Sequence, residues 1–197
     1  MCGLSDRYVE ATAAIDAANS LDPNLVVVRG ASQPLALVHG RLAVEWVERL
    51  QPAPAELLVL AARAHHLRRW ELSRGAYPDG KAGYLRWKRD QRQRHARDIA
   101  ELLAPFGYSA DEIAQVQSWI RRDQLAVDAG SQTVEDAACL VFIETQLAAV
   151  ATKLDHDHLV DVIRKTAKKM SPSALALVDE IPLSATEREL LASALAV

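Results

Sequence analysis

The chain has 197 residues, half of them hydrophobic and 5% aromatic, and a formal net charge of −3. This length suits one domain with a substantial core. No run approaches the roughly 20 apolar residues of a membrane span, and the N-terminus lacks the basic flank and apolar core of a signal peptide. We therefore expect a cytoplasmic protein with no membrane partner.

The composition favours helix over sheet. Ala and Leu are abundant, whereas Gly occurs only 8 times and clusters of β-branched residues are few. The sequence therefore predicts an all-α protein, a single compact multi-helix domain over residues 1–197 in which residues 172–197 form a short helical closure. The two cysteines, Cys2 and Cys139, have no metal-binding spacing, and Cys139 is expected to pack inside a helix.

The first part of the chain contains two predicted helices joined by an extended segment. Ser5 begins a helix that Pro23 ends. Residues 25–28 have strand composition but no evident partner, so we expect an extended connector there. Pro34 opens the second helix, on which His39 shares a face with apolar residues and therefore points inward.

Two adjacent histidines end the third predicted helix, an apolar run that starts near residue 57. Imidazole is the commonest protein ligand of transition metals. Neighbouring residues of a helix point about 100° apart, so His65 and His66 cannot both face one ion unless the helix frays. Residues 58 and 61 share a side with His65, which makes it the more core-facing of the two. The alternative is that one histidine is a hydrogen-bonded core residue and the other lies at the surface.

A turn-rich loop at residues 73–80, able to lie across a cleft, precedes two further predicted helices. The first of them runs from about residue 81 to residue 104 and carries His95 at the edge of its apolar stripe. The second begins at Ser109, which opens a capping box, and ends near residue 123.

The most buried helix is predicted at residues 134–148, where Thr133 is the cap and residues 137–143 are apolar on all sides. Asp136 shares a face of this helix with Cys139, Leu140 and Ile143. A buried carboxylate needs a cation, a hydrogen-bond network or a metal to offset its desolvation. Further along, residues 155–158 read Asp-His-Asp-His. We interpret this tract as a helix start with solvent-facing histidines and not as a metal site.

Cationic residues concentrate in the middle of the chain. Residues 63–98 contain 11 Lys or Arg against 4 Asp or Glu, whereas residues 99–197 contain 8 against 15. Such a band can be a solvated helix face, or it can attract an anionic ligand such as a nucleotide, a phosphoester or RNA. The adjacent histidines favour the ligand.

Inward-facing polar residues recur on four predicted helices, at His39, His65-His66, His95 and Asp136. This order resembles the HD superfamily of metal-dependent phosphohydrolases, in which a His, a His-Asp doublet and a later buried Asp bind a divalent metal. The resemblance implies an HD-like helical core with His39, His65, His66 and Asp136 on the metal, and His95 as a further ligand. One departure is that His66 stands where the family has Asp.

A second resemblance spans most of the chain. Its segments read HLRRWE, YP, GYLRW, QTVEDAACLVFIE and RKTAKKMS, at residues 66–71, 77–78, 83–87, 132–144 and 164–171. They are similar to those of an uncharacterised bacterial and fungal family of small helical proteins, a domain-of-unknown-function family. This resemblance implies a helical fold and brings no activity with it.

The HD resemblance implies hydrolysis of a nucleotide or other small phosphoester by metal-activated water. The expected catalytic residues are His66, His95 and Glu71. The cations expected to neutralise phosphate oxygens are Arg69, Arg74 and Lys81. The aromatic residues expected to stack on a base are Tyr77 and Trp87.

Two other functions fit the same residues. The chain could be a regulatory module that binds a small phosphate-containing anion or nucleotide without turnover. It could also be an RNA-binding protein that uses the basic band at residues 63–98.

Overall fold

Residues 5–195 are described by a computed structural model in which helices dominate, and Cys2 lies outside this range. The nine α-helices of the range are α1 (Asp6–Asn19), α2 (Leu35–Leu50), α3 (Glu56–Arg63), α4 (Gly80–Leu103), α5 (Ala110–Arg121), α6 (Ala129–Ala151), α7 (His156–Ala167), α8 (Pro172–Ala176) and α9 (Ala185–Leu195). Two strands, β1 (Leu25–Val28) and β2 (Ala31–Pro34), form the one sheet in this part of the chain. The predicted all-α class is confirmed.

The strand-like segment at residues 25–28 was expected to lack a partner, and this expectation is wrong. β1 pairs antiparallel with β2, from Leu25 opposite Pro34 to Val28 opposite Ala31. Arg29 and Gly30 join the strands with φ values of 52° and 80°, the positive angles of a tight hairpin turn. The partner escaped prediction because Ala-Ser-Gln-Pro has no strand composition.

Helix α6 lies at the centre of the bundle and packs against α2, α3, α5 and α7. Its predicted start at Thr133 is wrong, because Asp128 caps the helix by accepting hydrogen bonds from the N–H groups of Gly130 and Ser131. Helix α6 was predicted to be the most buried helix, but α2 is buried to a similar extent, with 10 of its 16 residues buried. Both helices belong to one hydrophobic core that includes residues from α1 through α9.

A close contact between α2 and α3 positions the adjacent histidines. A Cβ atom on Gly40 would lie 2.5 Å from the carbonyl oxygen of Arg63, so only glycine allows this approach. Helix α3 ends at Arg63, and the chain continues as turns. Because His65 and His66 therefore lie just beyond the helix, the 100° spacing of helical neighbours does not apply to them.

The C-terminal part of the chain adds two short helices, α8 and α9, to the end of the core. Ala174 and Leu191 are their buried contacts with it. The predicted helical closure from residue 172 is thus present up to the last described residue. None of the helices within residues 5–195 combines the length and hydropathy that a membrane span requires.

Candidate functional site

A cavity of about 230 Å³ opens between α4, α6, α7 and the turn that follows α3. Its charged lining is strongly unbalanced, with five cations and one acid. The cations are Arg69, Lys88, Arg92, Arg122 and Lys169, and the acid is Glu135. We call this space the main cavity. Clustered cations with low-dielectric walls attract anions.

The single acid of the main cavity is held by three of its cations. Glu135 Oε2 accepts hydrogen bonds from Arg122 Nε at 3.0 Å and Arg92 Nη2 at 3.3 Å. Lys169 Nζ lies 3.7 Å from Oε1. Burial alone would raise the pKa of Glu135, but Arg122, Arg92 and Lys169 lower it overall. Glu135 is therefore ionised and offsets one of the five positive charges.

His65 and His95 line the main cavity, and each ring has one buried nitrogen without a hydrogen-bond partner among the described residues. The Nδ1 atom of His65 lies 2.7 Å from the carbonyl oxygen of Ala62, and that of His95 lies 2.6 Å from the carbonyl oxygen of Leu67. A carbonyl oxygen only accepts, so Nδ1 carries the hydrogen in both rings. The Nε2 atoms then bear lone pairs, and both are buried without a partner.

The orientation of His66 is set by a chain of hydrogen bonds that starts on α6. Thr145 Oγ1 donates to the carbonyl oxygen of Val141 at 2.7 Å, so it accepts from His39 Nε2 at 3.0 Å. His39 Nδ1 is then an acceptor, and His66 Nδ1, 3.0 Å away, donates to it. The Nε2 atom of His66 is left as a third lone pair on the lining of the main cavity.

Gln91 supplies a fourth acceptor. Its Nε2 atom donates to the carbonyl oxygens of Arg69 and Leu72, each at 2.9 Å, which fixes the orientation of the amide. The opposite atom, Oε1, is buried and has no partner. Because Gln91 also lines the main cavity, its oxygen joins the three imidazole lone pairs there.

Burial keeps all four imidazoles neutral. Burial and, to a smaller extent, the nearby Arg69 lower the pKa of His39 to about 4 and that of His95 to about 3. Burial also holds the pKa of His65 and of His66 well below the usual range. At neutral pH these rings are therefore acceptors and not cations.

A protein-family model covers most of the chain. Residues 9–191 match the model of a domain of unknown function, DUF4202. The chain belongs to the DUF4202 family. The predicted resemblance to an uncharacterised helical family is thereby confirmed, whereas nothing in the match bears on the HD superfamily. No curated protein and no solved structure compared with the chain matches it.

Four of the predicted site residues of this DUF4202 chain meet at the main cavity: His65, His66, His95 and Arg69. The prediction that His65 is the more core-facing of its pair agrees with its 2% exposure. His39 lies behind His66 and lines a second cleft of about 280 Å³, together with Arg74 and Trp87. Arg69 lines both spaces.

Asp136 does not join the histidines, contrary to expectation. Its Oδ1 atom accepts from the backbone N–H of Ser171 at 2.8 Å and from Gln132 Nε2 at 2.9 Å, which stabilises the buried carboxylate without a metal. Nine residues separate it from Thr145, the contact of His39, and nine helical steps of about 100° end on the opposite face of α6. Within residues 5–195, no three His, Cys, Asp or Glu side chains form a group suited to hold a metal ion.

The remaining predicted residues lie outside the main cavity. Glu71 is exposed and pairs with Arg94, and Lys81 is exposed in the first turn of α4. Tyr77 donates its hydroxyl to Asp90 at 3.0 Å, and Arg74 binds the carbonyl oxygen of Tyr77. The main cavity is lined instead by Tyr84 and Phe142, and the ring of Tyr84 lies 5.9 Å from the ring of Trp87.

Sequence reasoning missed five of the six charged residues of the main cavity, and it also missed Gln91. Helical spacing could have found three of them, because Lys88, Gln91 and Arg92 lie within seven residues of His95 on one face of α4. No local sequence pattern indicates that Arg122, Glu135 and Lys169 line the cavity. Arg122 reaches the cavity from a left-handed residue just after α5, with φ at 61°.

The Asp-His-Asp-His tract is a helix start, as predicted. Asp155 caps α7 by accepting from the backbone N–H of His158 at 3.0 Å. The His158 ring is exposed and lies 2.6 Å from the other Asp155 oxygen, which raises its pKa.

Proposed function

We propose that the main cavity binds a small anionic ligand of the phosphate-ester class. The observation that carries this proposal is the excess of positive charge in the cavity, where five cations face one acid. Arg92, Arg122 and Lys169 pair with that acid, Glu135. Arg69 and Lys88 have no acid partner among the described residues of the cavity lining. The volume of about 230 Å³ suits a small molecule. The proposal keeps the expected partner, a phosphate-containing anion, and moves its site from the predicted loop to α4, α6 and α7.

The chemistry of the cations supports phosphate in particular. Arginine offers a planar set of donors that matches two phosphate oxygens, and lysine adds a compact charge. The guanidinium of Arg69 stacks on Trp87, with 4.7 Å between its central carbon and the ring centroid, so the charge is held in place before a ligand arrives. Burial, with Lys169 and Arg92 nearby, lowers the pKa of Lys88 to about 8, and an anion beside it would restore its charge.

RNA binding receives less support from the basic band at residues 63–98. Several of its cations are paired with carboxylates, as Arg63 is with Asp16 and Arg94 with Glu71. Others turn inward to the main cavity. The band is therefore not one continuous free face of the kind that tracks a nucleic acid backbone.

Metal-dependent phosphoester hydrolysis is the second candidate. The favourable observation is that His65 and His95 donate Nδ1–H to carbonyl oxygens, a contact that fixes the tautomer and orientation of histidines that bind a metal through Nε2. His66 lines the cavity, and its neutral Nε2 could also accept a proton from water. The divalent metal and a cytoplasmic location both stay predictions. Elemental analysis of protein purified without a chelator or a histidine tag tests the metal.

Titration calorimetry with inorganic phosphate tests the proposed binding. Replacing Lys88 by Gln removes a charge-assisted contact, so we expect the affinity to fall by about 10-fold or more. Arg86→Gln is the matched control, because Arg86 is an exposed cation of the same helix outside the cavity lining. Equal losses in the two variants would mean that surface charge alone attracts phosphate, and the proposal would fail.

A salt series separates the small-ligand and RNA interpretations. Each phosphate neutralised on a nucleic acid releases counterions, so RNA binding weakens steeply with salt. We expect a labelled RNA to show only weak, salt-sensitive binding that inorganic phosphate does not block. Tight RNA binding that survives Lys88→Gln would favour the basic band instead.

A further inference from the structure

Four hydrogen-bond acceptors on residues that line the main cavity have no donor within residues 5–195, and they indicate what the ligand carries besides its charge. Three are the Nε2 atoms of His65, His66 and His95, and the fourth is Gln91 Oε1. We infer that the ligand joins its anionic group to a hydroxylated part, as in a sugar phosphate or another polyol phosphate. This inference rests on the proposed function.

The polarity of these atoms excludes the anion itself as their partner. The oxygens of a fully ionised phosphate group only accept hydrogen bonds, and a lone pair facing a lone pair is repelled. Gln91 and His95 are each 1% exposed and His65 is 2% exposed, so bulk water does not solvate their acceptors. A buried acceptor without a donor is costly, and a ligand that supplies O–H groups removes the cost. The five cations of the cavity would repel an ammonium group. Hydroxyl groups are therefore the donors that suit these acceptors.

The two kinds of group lie on separate rows of α4. Lys88 and Arg92 are four residues apart, and so are Gln91 and His95, which makes two neighbouring rows along one face. The cationic row turns toward α6, where Arg92 contacts Glu135. The acceptor row turns toward the segment after α3, where His95 binds the carbonyl oxygen of Leu67 and Gln91 that of Arg69. A ligand lying across both rows needs one anionic end and one donor-rich end.

Calorimetry with two phosphates of equal charge tests the inference. Ribose 5-phosphate carries hydroxyl groups, whereas pentyl phosphate has the same number of carbon atoms and none. We expect ribose 5-phosphate to bind at least about 10-fold more tightly, the effect of pairing one or two buried acceptors. Equal affinities would overturn the inference and leave the proposed function standing. If neither compound binds and inorganic phosphate does not bind either, both the inference and the proposed function are overturned.

Variants assign the preference to the acceptors. His66→Phe removes one lone pair from a partly exposed position, and we expect it to reduce the preference for ribose 5-phosphate several-fold. Lys88→Gln should weaken both compounds alike and leave their ratio unchanged. A ratio that responds to Lys88 and not to His66 would count against the inference.

A measurement on the unaltered protein covers the case in which His66→Phe does not fold. Nitrogen-15 NMR of the histidine rings reports whether Nε2 accepts a hydrogen bond. Ribose 5-phosphate should shift the Nε2 resonances of the cavity histidines, whereas pentyl phosphate should leave them unchanged. Nε2 signals that do not respond to ribose 5-phosphate, or a tightly bound transition metal at one ion per chain, would overturn the inference.

Discussion

The Nδ1 atoms of His39 and His66 lie 3.0 Å apart, and only one of them carries the hydrogen between them. Thr145 decides which, because its hydroxyl is committed to the carbonyl oxygen of Val141 and must accept from His39 Nε2. A threonine on α6 thus fixes the direction of the lone pair that His66, near the end of α3, shows to the main cavity.

This relationship predicts the tautomers of all four buried histidines. At pH 7, His39 should carry its hydrogen on Nε2, and His65, His66 and His95 should carry theirs on Nδ1. Long-range nitrogen-15 correlation spectra distinguish the two forms. In Thr145→Val the acceptor of His39 is lost, so His39 and His66 should become tautomer mixtures. Thr152→Val, at the exposed end of α6, should leave the spectra unchanged. An Nε2–H form of His66 in the unaltered protein would contradict this account.

Acid should destabilise the fold already at pH values above the usual pKa range of carboxylates. In the unfolded chain histidine titrates near pH 6.5, whereas folding lowers the pKa of His39 to about 4 and of His95 to about 3. Between these values the unfolded state binds more protons, so stability is lost as the pH falls from about 6.5 toward 4. Each buried histidine contributes at most about 1.4 kcal/mol per pH unit.

Urea midpoints at pH 7 and pH 5 measure this loss. The exposed His158 provides the control, because its pKa is raised and its replacement by Gln should not flatten the acid limb of the profile. A fold equally stable at both pH values would show that the imidazoles are not held neutral.

Anion affinity should fall as Lys88 loses its proton. Its pKa of about 8 places the loss between pH 7 and 9 in the free protein. Sulfate is a suitable probe because it stays dianionic over this range. We expect its affinity to drop by roughly 5-fold from pH 7 to pH 9, and to stay nearly constant in Lys88→Arg, whose guanidinium remains charged. A profile that does not change with this substitution would assign the titration to another group.

Replacing Glu135 should lower the stability of the fold but raise its affinity for an anionic ligand. Its side chain and that of Arg122 are 6% and 5% exposed, so Glu135→Gln leaves a buried guanidinium without its counterion and should cost about 3 kcal/mol of unfolding free energy. The same change removes the one acid of the main cavity and should tighten phosphate binding several-fold. Denaturant titration and calorimetry measure the two effects.

An exposed pair serves as the comparison for Glu135. Glu45 contacts Arg29 at 2.8 Å, and both side chains are about half exposed. Glu45→Gln should therefore change stability by less than about 1 kcal/mol and leave phosphate affinity unchanged. Weaker phosphate binding in Glu135→Gln would mean that the acid organises the cations more than it neutralises them.

Gly40 should tolerate no side chain. Its Cβ would lie 2.5 Å from the backbone oxygen of Arg63, so Gly40→Ala must separate α2 from the end of α3, at a cost of about 1–3 kcal/mol. The same movement would lengthen the contact between His39 and His66. Gly75→Ala is the control, since its nearest atom would be 3.6 Å away. Thermal melting of the two variants measures the difference, and similar melting temperatures would contradict the prediction.

Helical periodicity predicted most of the fold because the apolar faces are regular. The capping box at Ser109 and the cap at Asp155 are where local sequence placed them. The hairpin was missed because the pairing of β1 depends on β2, whose own residues favour no strand. Local patterns cannot show a partner that is fixed by tertiary contacts alone.

The same distinction between local patterns and tertiary contacts applies to the candidate site. His95 was found because its spacing puts it on an inward face of α4. His65 is buried as predicted, although it lies in the turn just beyond α3. Asp136 was assigned to the wrong surroundings, because burial predicts that a carboxylate needs a partner but not which one. That partner is the backbone of Ser171, 35 residues later in the chain. Arg122 was missed because a left-handed residue after a helix escapes helical periodicity.

Arg69 forms part of the wall between the main cavity and the second cleft. Its stacking on Trp87 holds the guanidinium at that boundary. Two separate anions, one on each side, would have to compete for this single group. A single elongated ligand that extends through both spaces would instead contact Arg69 near its midpoint, with one end beside the imidazoles and the other beside Arg74.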